Sequence, residues 1–378
     1  MPFHEVTRMD ERLEFVMLAA QEGANLRGLC RRFGISPMTG YKWLARWRLC
    51  GDAGLADRSR RPLHSPQQSS AAIETAVLAL RAKHPAWGGR KIARRLIDQG
   101  EAGVPAASTV TAILKRHGVA VGGFGGGAAA FTRFEKEAPN QLWQMDFKGH
   151  VPLAAGRLHP LTVLDDHSRF ALVLAACGDQ RTATVREHLT GAFRRYGLPD
   201  QMITDNGSPW GDGPGSPFTP LGVFLIEQGI RIAHSRPYHP QTMGKDERFH
   251  RSLKAEVLSG PPFADLAAAA RGLERWRHVY NTERPHEALD LAVPASRYRQ
   301  SRRDYAETPH RFDYAPGDIV RRVQQGGRVS LNGRRLRVPK AFKGKQVAFR
   351  PTDRDGVFEV AFRHQTIATV DIRALDQA

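Results

Sequence analysis

Three acids far apart along the chain sit where a carboxylate could do chemistry. Asp146 lies inside the strand-like run Gln141-Leu-Trp-Gln-Met-Asp-Phe-Lys148. Asp205 closes a short apolar run from Gln201 and precedes the turn signal Asn206-Gly207. Glu247 falls in Arg236-Pro-Tyr-His-Pro-Gln-Thr-Met-Gly-Lys-Asp-Glu-Arg-Phe-His-Arg-Ser-Leu-Lys-Ala-Glu256, the stretch around which the chain is organised. Two prolines and a glycine make the first half of that stretch a loop. From Lys245 onward it reads as a helix, with Phe249, Leu253 and Val257 as an apolar stripe. Glu247, Arg251 and Lys254 share a face nearly opposite that stripe. A carboxylate beside two cations suits a site that holds a metal and a phosphate backbone together. Taken singly, each segment has a plainer reading: a turn for Asp-Asn-Gly, and solvated i,i+4 ion pairs for the helix.

The order of the segments says more than any one of them. Trp143-x-x-Asp146, then Thr204-Asp205-Asn206-Gly207-Ser208, then His239-Pro-Gln-Thr-x-Gly-Lys-x-Glu247-Arg-Phe-His resembles the DDE integrase core. That core belongs to bacterial insertion-sequence transposases and retroviral integrases. The resemblance spans about residues 139–290 and implies an RNase H-like fold. Retroviral integrases also carry an N-terminal His/Cys zinc module. Cys30, Cys50 and Cys177 are scattered with no Cys-x-x-Cys pair, so the chain groups with the bacterial transposases.

The composition agrees with a nucleic-acid partner. Lys plus Arg number 56 against 38 Asp plus Glu among 378 residues, a net charge of +18. A basic ribosomal or membrane-surface protein would show a similar excess, so charge alone does not decide. No apolar run approaches the roughly 20 residues of a membrane span. The first residues lack an apolar signal region, and the expected location is the bacterial cytoplasm, at the nucleoid.

The elements that position these residues fall into several domains. Residues 1–56 read as a helix-turn-helix module. A helix over 10–22 buries Leu13, Val16, Met17 and Ala20. Asn25 caps a second helix, Gly34-Ile35 turns, and Ser36 with Pro37 starts a third. That third helix offers Thr39, Tyr41, Lys42 and Arg46 to DNA, with Trp43 and Leu44 inward. Residues 57–70 form a basic linker, where Arg58, Arg60 and Arg61 either follow phosphates or are merely solvated. Residues 71–120 read as a second helix-turn-helix, winged or not, with Arg90 and Lys91 on a basic face and Ser108 capping its last helix. A helical spacer is the rival reading there. Two such modules suit a long asymmetric site such as a transposon terminal repeat.

The Gly/Ala-rich residues 121–138 form a linker. Within 139–290, strands are expected at 142–148, 158–165 and 169–176, a helix at 182–196, and a strand ending at Asp205. A helix at about 220–229, a strand at 230–235, the helix bearing Glu247 and one at 264–280 complete an α/β order. The Gly/Pro-rich loop 210–220 accounts for the 42-residue separation of Asp205 and Glu247. Residues 291–309 read as a linker. Residues 301–350 hold 13 Lys/Arg and 4 Asp/Glu, half the charge excess in an eighth of the chain. The Asn332-Gly333 hairpin there carries Arg334 and Arg335. Residues 310–378 are therefore expected to form a small basic β-barrel, like the DNA-binding C-terminal domain of the resembled family.

The resemblance implies two Mg²⁺ ions, with Mn²⁺ as a substitute, about 3.5–4 Å apart. Asp146 would bridge them, Asp205 would hold one and Glu247 the other. Mg²⁺ favours oxygen ligands and keeps waters, so three acids suffice. Lys245, Arg248, Arg251 and Lys254 would neutralise phosphates, and His239 is a candidate for orienting a phosphate or water. Asp165 and Asp166 read as turn-capping acids. Asp246 would face away from Glu247, and Glu247 is preferred because it occupies the family's acid position. The implied reaction frees a 3′-OH at each transposon end and joins it to target DNA. The implied partners are double-stranded DNA, in terminal repeats and target, and at least one further copy of the chain. A DNA-binding protein without recombination activity, or a nuclease of the same fold, are the alternatives.

Overall fold

A computed structural model describes residues 7–59, 68–120, 135–211, 217–235 and 244–373. Two compact units emerge, residues 1–68 and 69–378. In the first, Thr7 and Asp10 form a capping box at α1 (Arg8–Ala19), Asn25 caps α2 (Leu26–Arg32) and Ser36 caps α3 (Pro37–Cys50). Each such cap satisfies an orphan backbone N–H and contributes about 1 kcal/mol. Gly34, at φ 64°, makes the turn between α2 and α3. Phe15, Val16, Cys30, Trp43, Leu44 and Leu55 form the core. The inward face of α1 differs from the expected one: Phe15 and Ala19 are buried, and Met17 is exposed. Gly40 is required for close packing, since a Cβ there would lie 2.9 Å from the Phe15 ring.

The second unit opens with α4 (Ala71–Lys83), α5 (Gly89–Asp98) and α6 (Ala107–Arg116) around Val77, Trp87, Ile92, Leu96 and Ile113. Ser108 does not cap α6; the helix starts after extended Ala106 and has no side-chain cap. Ile97 is exposed and Ala93 fills the inward face instead. No strand occurs among described residues 68–120, so no wing is seen there.

The central sheet is built from β1 (Trp143–Phe147), β2 (Val151–Pro152), β3 (Arg157–Asp165), β4 (Ala171–Cys177), β5 (Gln201–Thr204) and β6 (Arg231–His234). β3 runs antiparallel to β1 and β4, whereas β1, β5 and β6 are parallel. α7 (Thr182–Tyr196) and α8 (Pro220–Glu227) cover one face, packing on Trp143, Met145, Leu161 and Val163. α9 (Gly244–Leu253) and α10 (Leu266–Thr282) cover the other, through Phe249, Leu253, Leu273 and Trp276 on Leu158, Leu164 and Leu174. Side chains alternate along a strand. Trp143 and Met145 face α7, so Gln144 and Asp146 face α9.

The turn after α9, Lys254–Leu258, is π-helical. Partly buried Glu256 anchors it, accepting from Arg284 Nε at 2.7 Å and Trp276 Nε1 at 2.9 Å. A short α11 (Pro294–Arg297) follows. Residues expected as a linker then pack on the core: Tyr298 and Tyr305 lie against its apolar cluster, and Arg303 donates to the Gly229 carbonyl.

The C-terminal region is not a barrel. β7 (Ile319–Arg322), β10 (Gln346–Pro351), β11 (Val357–Phe362) and β12 (Gln365–Asp371) form an open sheet in the order β12-β11-β10-β7. β8 (Arg328–Leu331) and β9 (Arg334–Arg337) form a separate hairpin. The physical reason is that the sheet's apolar side is covered from outside. Phe218, Val223 and Ile226 share one cluster with Val329, Phe342, Val347 and Phe349. A sheet already covered by a helix gains nothing from closing on itself.

Candidate active site and nucleic-acid interface

Strand register brings two of the three acids together. Trp143 pairs with Met202 and Gln144 with Ile203 in the parallel β1–β5 ladder. Continued two residues further, that register sets Asp205 beside Asp146. Asp205 accepts from the Gly207 N–H at 3.0 Å, an Asx turn that holds the carboxylate where the strand ends. Asn206 fixes the same corner by donating to the Ser235 carbonyl at 2.8 Å. Glu247 sits in the first turn of α9, on its exposed side.

Asp146 feels both of the other acids. Burial raises the Asp146 pKa to about 6; the Asp205 charge adds to this and Glu247 adds less. The Phe147 N–H and Lys148 oppose the rise. A half-buried carboxylate with two acidic neighbours is deficient in positive charge. The donor set is all oxygen, which fits a hard divalent cation such as Mg²⁺.

The inward placement of a fourth acid was missed by sequence reasoning. Asp246 is 1% exposed. Thr162 Oγ1 donates toward its carboxylate, at 3.1 and 3.3 Å. His250 Nε2 lies 3.5 Å from Asp246, and His250 Nδ1 lies 4.0 Å from Asp146. Asp146, Asp246 and His250 thus bring ligand-type atoms within 4.8 Å of one another. Burial, reinforced by Asp146, pushes the Asp246 pKa well up, and burial with Lys148 pushes His250 down to about 3. Both shifts favour neutral forms. The signal was available: residues 246, 249, 250 and 253 follow the i, i+3, i+4, i+7 pattern of an inward face. Asp246 does face away from Glu247, but toward the sheet.

Asp165 and Asp166 behave as structural acids. Asp165 accepts from Ser168 N and Oγ and from the Asn140 N–H. Asp166 accepts from Gln144 Nε2 and the Lys136 N–H. Lys245 is drawn into this corner, its amine 2.5 Å from Asp166. Burial lowers its pKa. It therefore ties the start of α9 to the end of β3 and is not presented to a phosphate as the sequence reading expected. Arg248 is exposed beside Glu287 at 3.4 Å. Arg251 and Lys254 are exposed, as their helical spacing requires.

On α3, Tyr41 and Lys42 are exposed and Arg46 is half-buried, its guanidinium 5.1 Å from the Trp43 ring. The Thr39 hydroxyl is shared with Ser36 Oγ at 2.9 Å, so it serves the helix cap. Arg58 is exposed; Arg60, Arg61 and His239 lie outside the described residues, as does loop 212–216. On α5, Arg90 is exposed, but Lys91 turns toward the core. Burial lowers its pKa to about 8, with Arg284 adding and Glu256 and Glu287 opposing. That amine is therefore not part of an open basic face.

Arg335 is exposed on the β8–β9 hairpin, and Arg334 donates to the Ile372 carbonyl. Arg328 stands directly opposite Arg337 across the ladder. Like charges so placed repel. That cost is offset when a polyanion lies over them.

Comparisons with known proteins find relatives for several parts of the chain. Residues 136–240 and 228–294 match integrase core domains. Residues 11–62 match a helix-turn-helix domain and 39–114 a homeodomain-like domain. Residues 318–377 match the IS481 family transposase C-terminal domain. The chain is 28% identical over 175 residues to the insertion element IS407 31.7 kDa protein of Burkholderia multivorans, covering 46% of this chain and 61% of that one. It is 31% identical over 159 residues to the IS476 39.2 kDa protein of Xanthomonas euvesicatoria, covering 42% and 44%. The chain thus spans less than two thirds of either curated relative. A chain of the simian T-cell lymphotropic virus intasome structure aligns over 79% of this chain and 96% of its own, at 12% identity and TM-score 0.41. No described helix is long and apolar enough to cross a membrane. The integrase-core matches, the IS481 C-terminal match and the two insertion-element relatives together support a DDE transposase of an insertion sequence.

Proposed function

We propose that the chain binds the terminal repeats of its transposon, cleaves them to free 3′-OH groups, and joins those ends to target DNA by transesterification. Asp146, Asp205 and Glu247 are the acids that hold the divalent cations. The observation that carries this reading is the β1–β5 register, which sets Asp205 beside Asp146 while Glu247 acts electrostatically on Asp146. Mg²⁺, or Mn²⁺ in its place, supplies Lewis-acid activation of the attacking oxygen and relief of charge on the leaving one.

The chain's own residues do the rest. The half-buried Asp146 on β1 gives a rigid point of attachment, and the Asx turn holds Asp205 beside it. Arg251 and Lys254 lie on the exposed side of the helix that carries Glu247, where they can neutralise the scissile strand. Exposed Arg328, Arg335 and Arg337 offer a second, sequence-independent contact to phosphates. Lys42 and Arg46 on α3 supply contacts to the terminal repeat. Joining two ends implies at least two copies of the chain on DNA.

A strand-transfer assay with pre-cleaved end DNA and Mg²⁺ tests the proposal. Joined product is expected. Hydrolysis without joining would point to a nuclease, and binding without chemistry to a regulator. Asp146→Asn, Asp205→Asn and Glu247→Gln should each lower joining by at least about a thousandfold while sparing end binding. An active variant among them would remove that acid from the site.

A further inference from the structure

One buried hydroxyl links the strand that carries Asp146 to the helix that carries Glu247. Thr162 pairs directly with Asp146 across the antiparallel β1–β3 ladder and is fully buried. Its Oγ1 lies 2.9 Å from the Asp146 carbonyl, 3.1 and 3.3 Å from the Asp246 carboxylate, and 3.0 Å from His250 Nε2. Asp246 and His250 are one turn apart on α9, flanking Glu247. Among the described residues no Lys or Arg pairs with Asp246. Lys245 ties the first residues of α9 to Asp166 at the end of β3, and Phe249 and Leu253 add apolar contacts with the sheet. Apolar contacts are non-directional and tolerate a slide or roll of the helix. A hydroxyl shared among a strand carbonyl, a carboxylate and an imidazole is directional.

We propose that Thr162, Asp246 and His250 form a positioning cluster that fixes the azimuth of α9 on β1 and so sets where Glu247 stands relative to Asp146. This rests on the reading that Asp146 and Glu247 are ligands of the same metal centre. The geometry favours positioning over direct ligation by Asp246. Its carboxylate is already engaged by Thr162 and is 1% exposed, whereas Glu247, the next residue, is exposed on the outer side of α9. Groups that orient metal ligands typically change metal affinity by about 10–100-fold when removed.

Thr162→Val removes the hydroxyl at nearly constant volume, and Thr162→Ser keeps it. Full-length variants are compared as complexes with end DNA, with Mn²⁺ affinity read by electron paramagnetic resonance and end binding and thermal unfolding measured alongside. Thr162→Val should weaken Mn²⁺ by about tenfold or more with end binding retained, and Thr162→Ser should recover most of that loss. Asp246→Asn, which still offers an acceptor to Thr162, should stay within about threefold of the parent. Unchanged Mn²⁺ affinity in Thr162→Val, or a Ser variant as weak as the Val one, overturns the proposal. If Thr162→Val does not fold, Asp246→Asn decides: a loss above about a hundredfold would make Asp246 a ligand and overturn the positioning role. Asp146→Asn separates the two readings. Mn²⁺ binding that survives in Asp146→Asn defeats the metal-site reading itself. Loss there with an unaffected Thr162→Val defeats only the cluster.

Discussion

The two three-helix modules differ in where their cations go. In the first, Lys42 and Arg48 of α3 are exposed, and Lys42 and Arg46 both lie along the Trp43 ring. In the second, α5 turns part of its basic side onto the α/β core. Arg95 and Lys83 both approach Glu283, at 3.2 and 3.4 Å, and Val279 packs into the module's apolar cluster. Lys91 faces Arg284, Glu256 and Glu287. A run of basic residues on a helix is therefore no measure of its DNA-binding face. What matters is which cations remain after neighbouring elements have packed. By that measure α3 keeps Lys42 and Arg48 open to a polyanion, whereas α5 keeps chiefly Arg90 exposed.

The contrast can be broken most sharply by DNA binding. Replacing Lys42 and Arg46 together by Ala should weaken end-DNA binding at least about tenfold and reduce the salt slope by roughly two. Filter binding across a salt series would check this, and an unchanged slope would place the reading face elsewhere. A smaller effect is expected at the docked module. Glu283→Lys sets a third cation beside Arg95 and Lys83 and should destabilise the docking by about 1–3 kcal/mol. Faster hydrogen exchange in α4–α6, with α1–α3 unchanged, is the expected signature.

Lys91→Met sharpens the point further. A lysine whose pKa falls from 10.5 to about 8 on folding disfavours the folded state wherever it is charged there. The penalty is fully present below about pH 8 and fades as pH rises toward 10.5. The variant should gain about 1–3 kcal/mol at pH 7, and less at pH 9.5, in urea unfolding. Its end-DNA affinity should stay within about twofold. A loss matching that of the α3 variant would make the modules equivalent. The smallest change, a few-fold loss of affinity, is expected for Arg90→Ala, since one exposed phosphate contact is weak and screened.

Local signals were legible where the chain's own chemistry decides. Ser36 with Pro37 starts α3, α7 spans Thr182–Tyr196 as its periodicity predicts, and Asn332 and Gly333 take the positive φ of a tight hairpin. The sheet's strand sequence was readable too, because apolar runs alternate with turn residues from Trp143 to His234. What was not legible depends on partners distant in sequence. The open C-terminal sheet follows from α8 covering its apolar side, which no strand pattern announces. Lys245 looks like a phosphate ligand until Asp166 is seen beside it. Asp246 reads only as an acid facing away from Glu247 until Thr162, 84 residues earlier, is found beside it. The motif picks out Glu247; the spacing of 246, 249, 250 and 253 marks the inward face, and packing shows what Asp246 meets there.

The central claim is that Asp146, Asp205 and Glu247 gather around shared divalent cations. Anomalous diffraction from the protein bound to its end DNA in Mn²⁺ tests it most directly. The account predicts Mn²⁺ coordinated by oxygens of Asp146, with Asp205 and Glu247 completing the protein ligands. Mn²⁺ held by Asp246 and His250 with Glu247 turned away, or no ion within reach of Asp205, would contradict it.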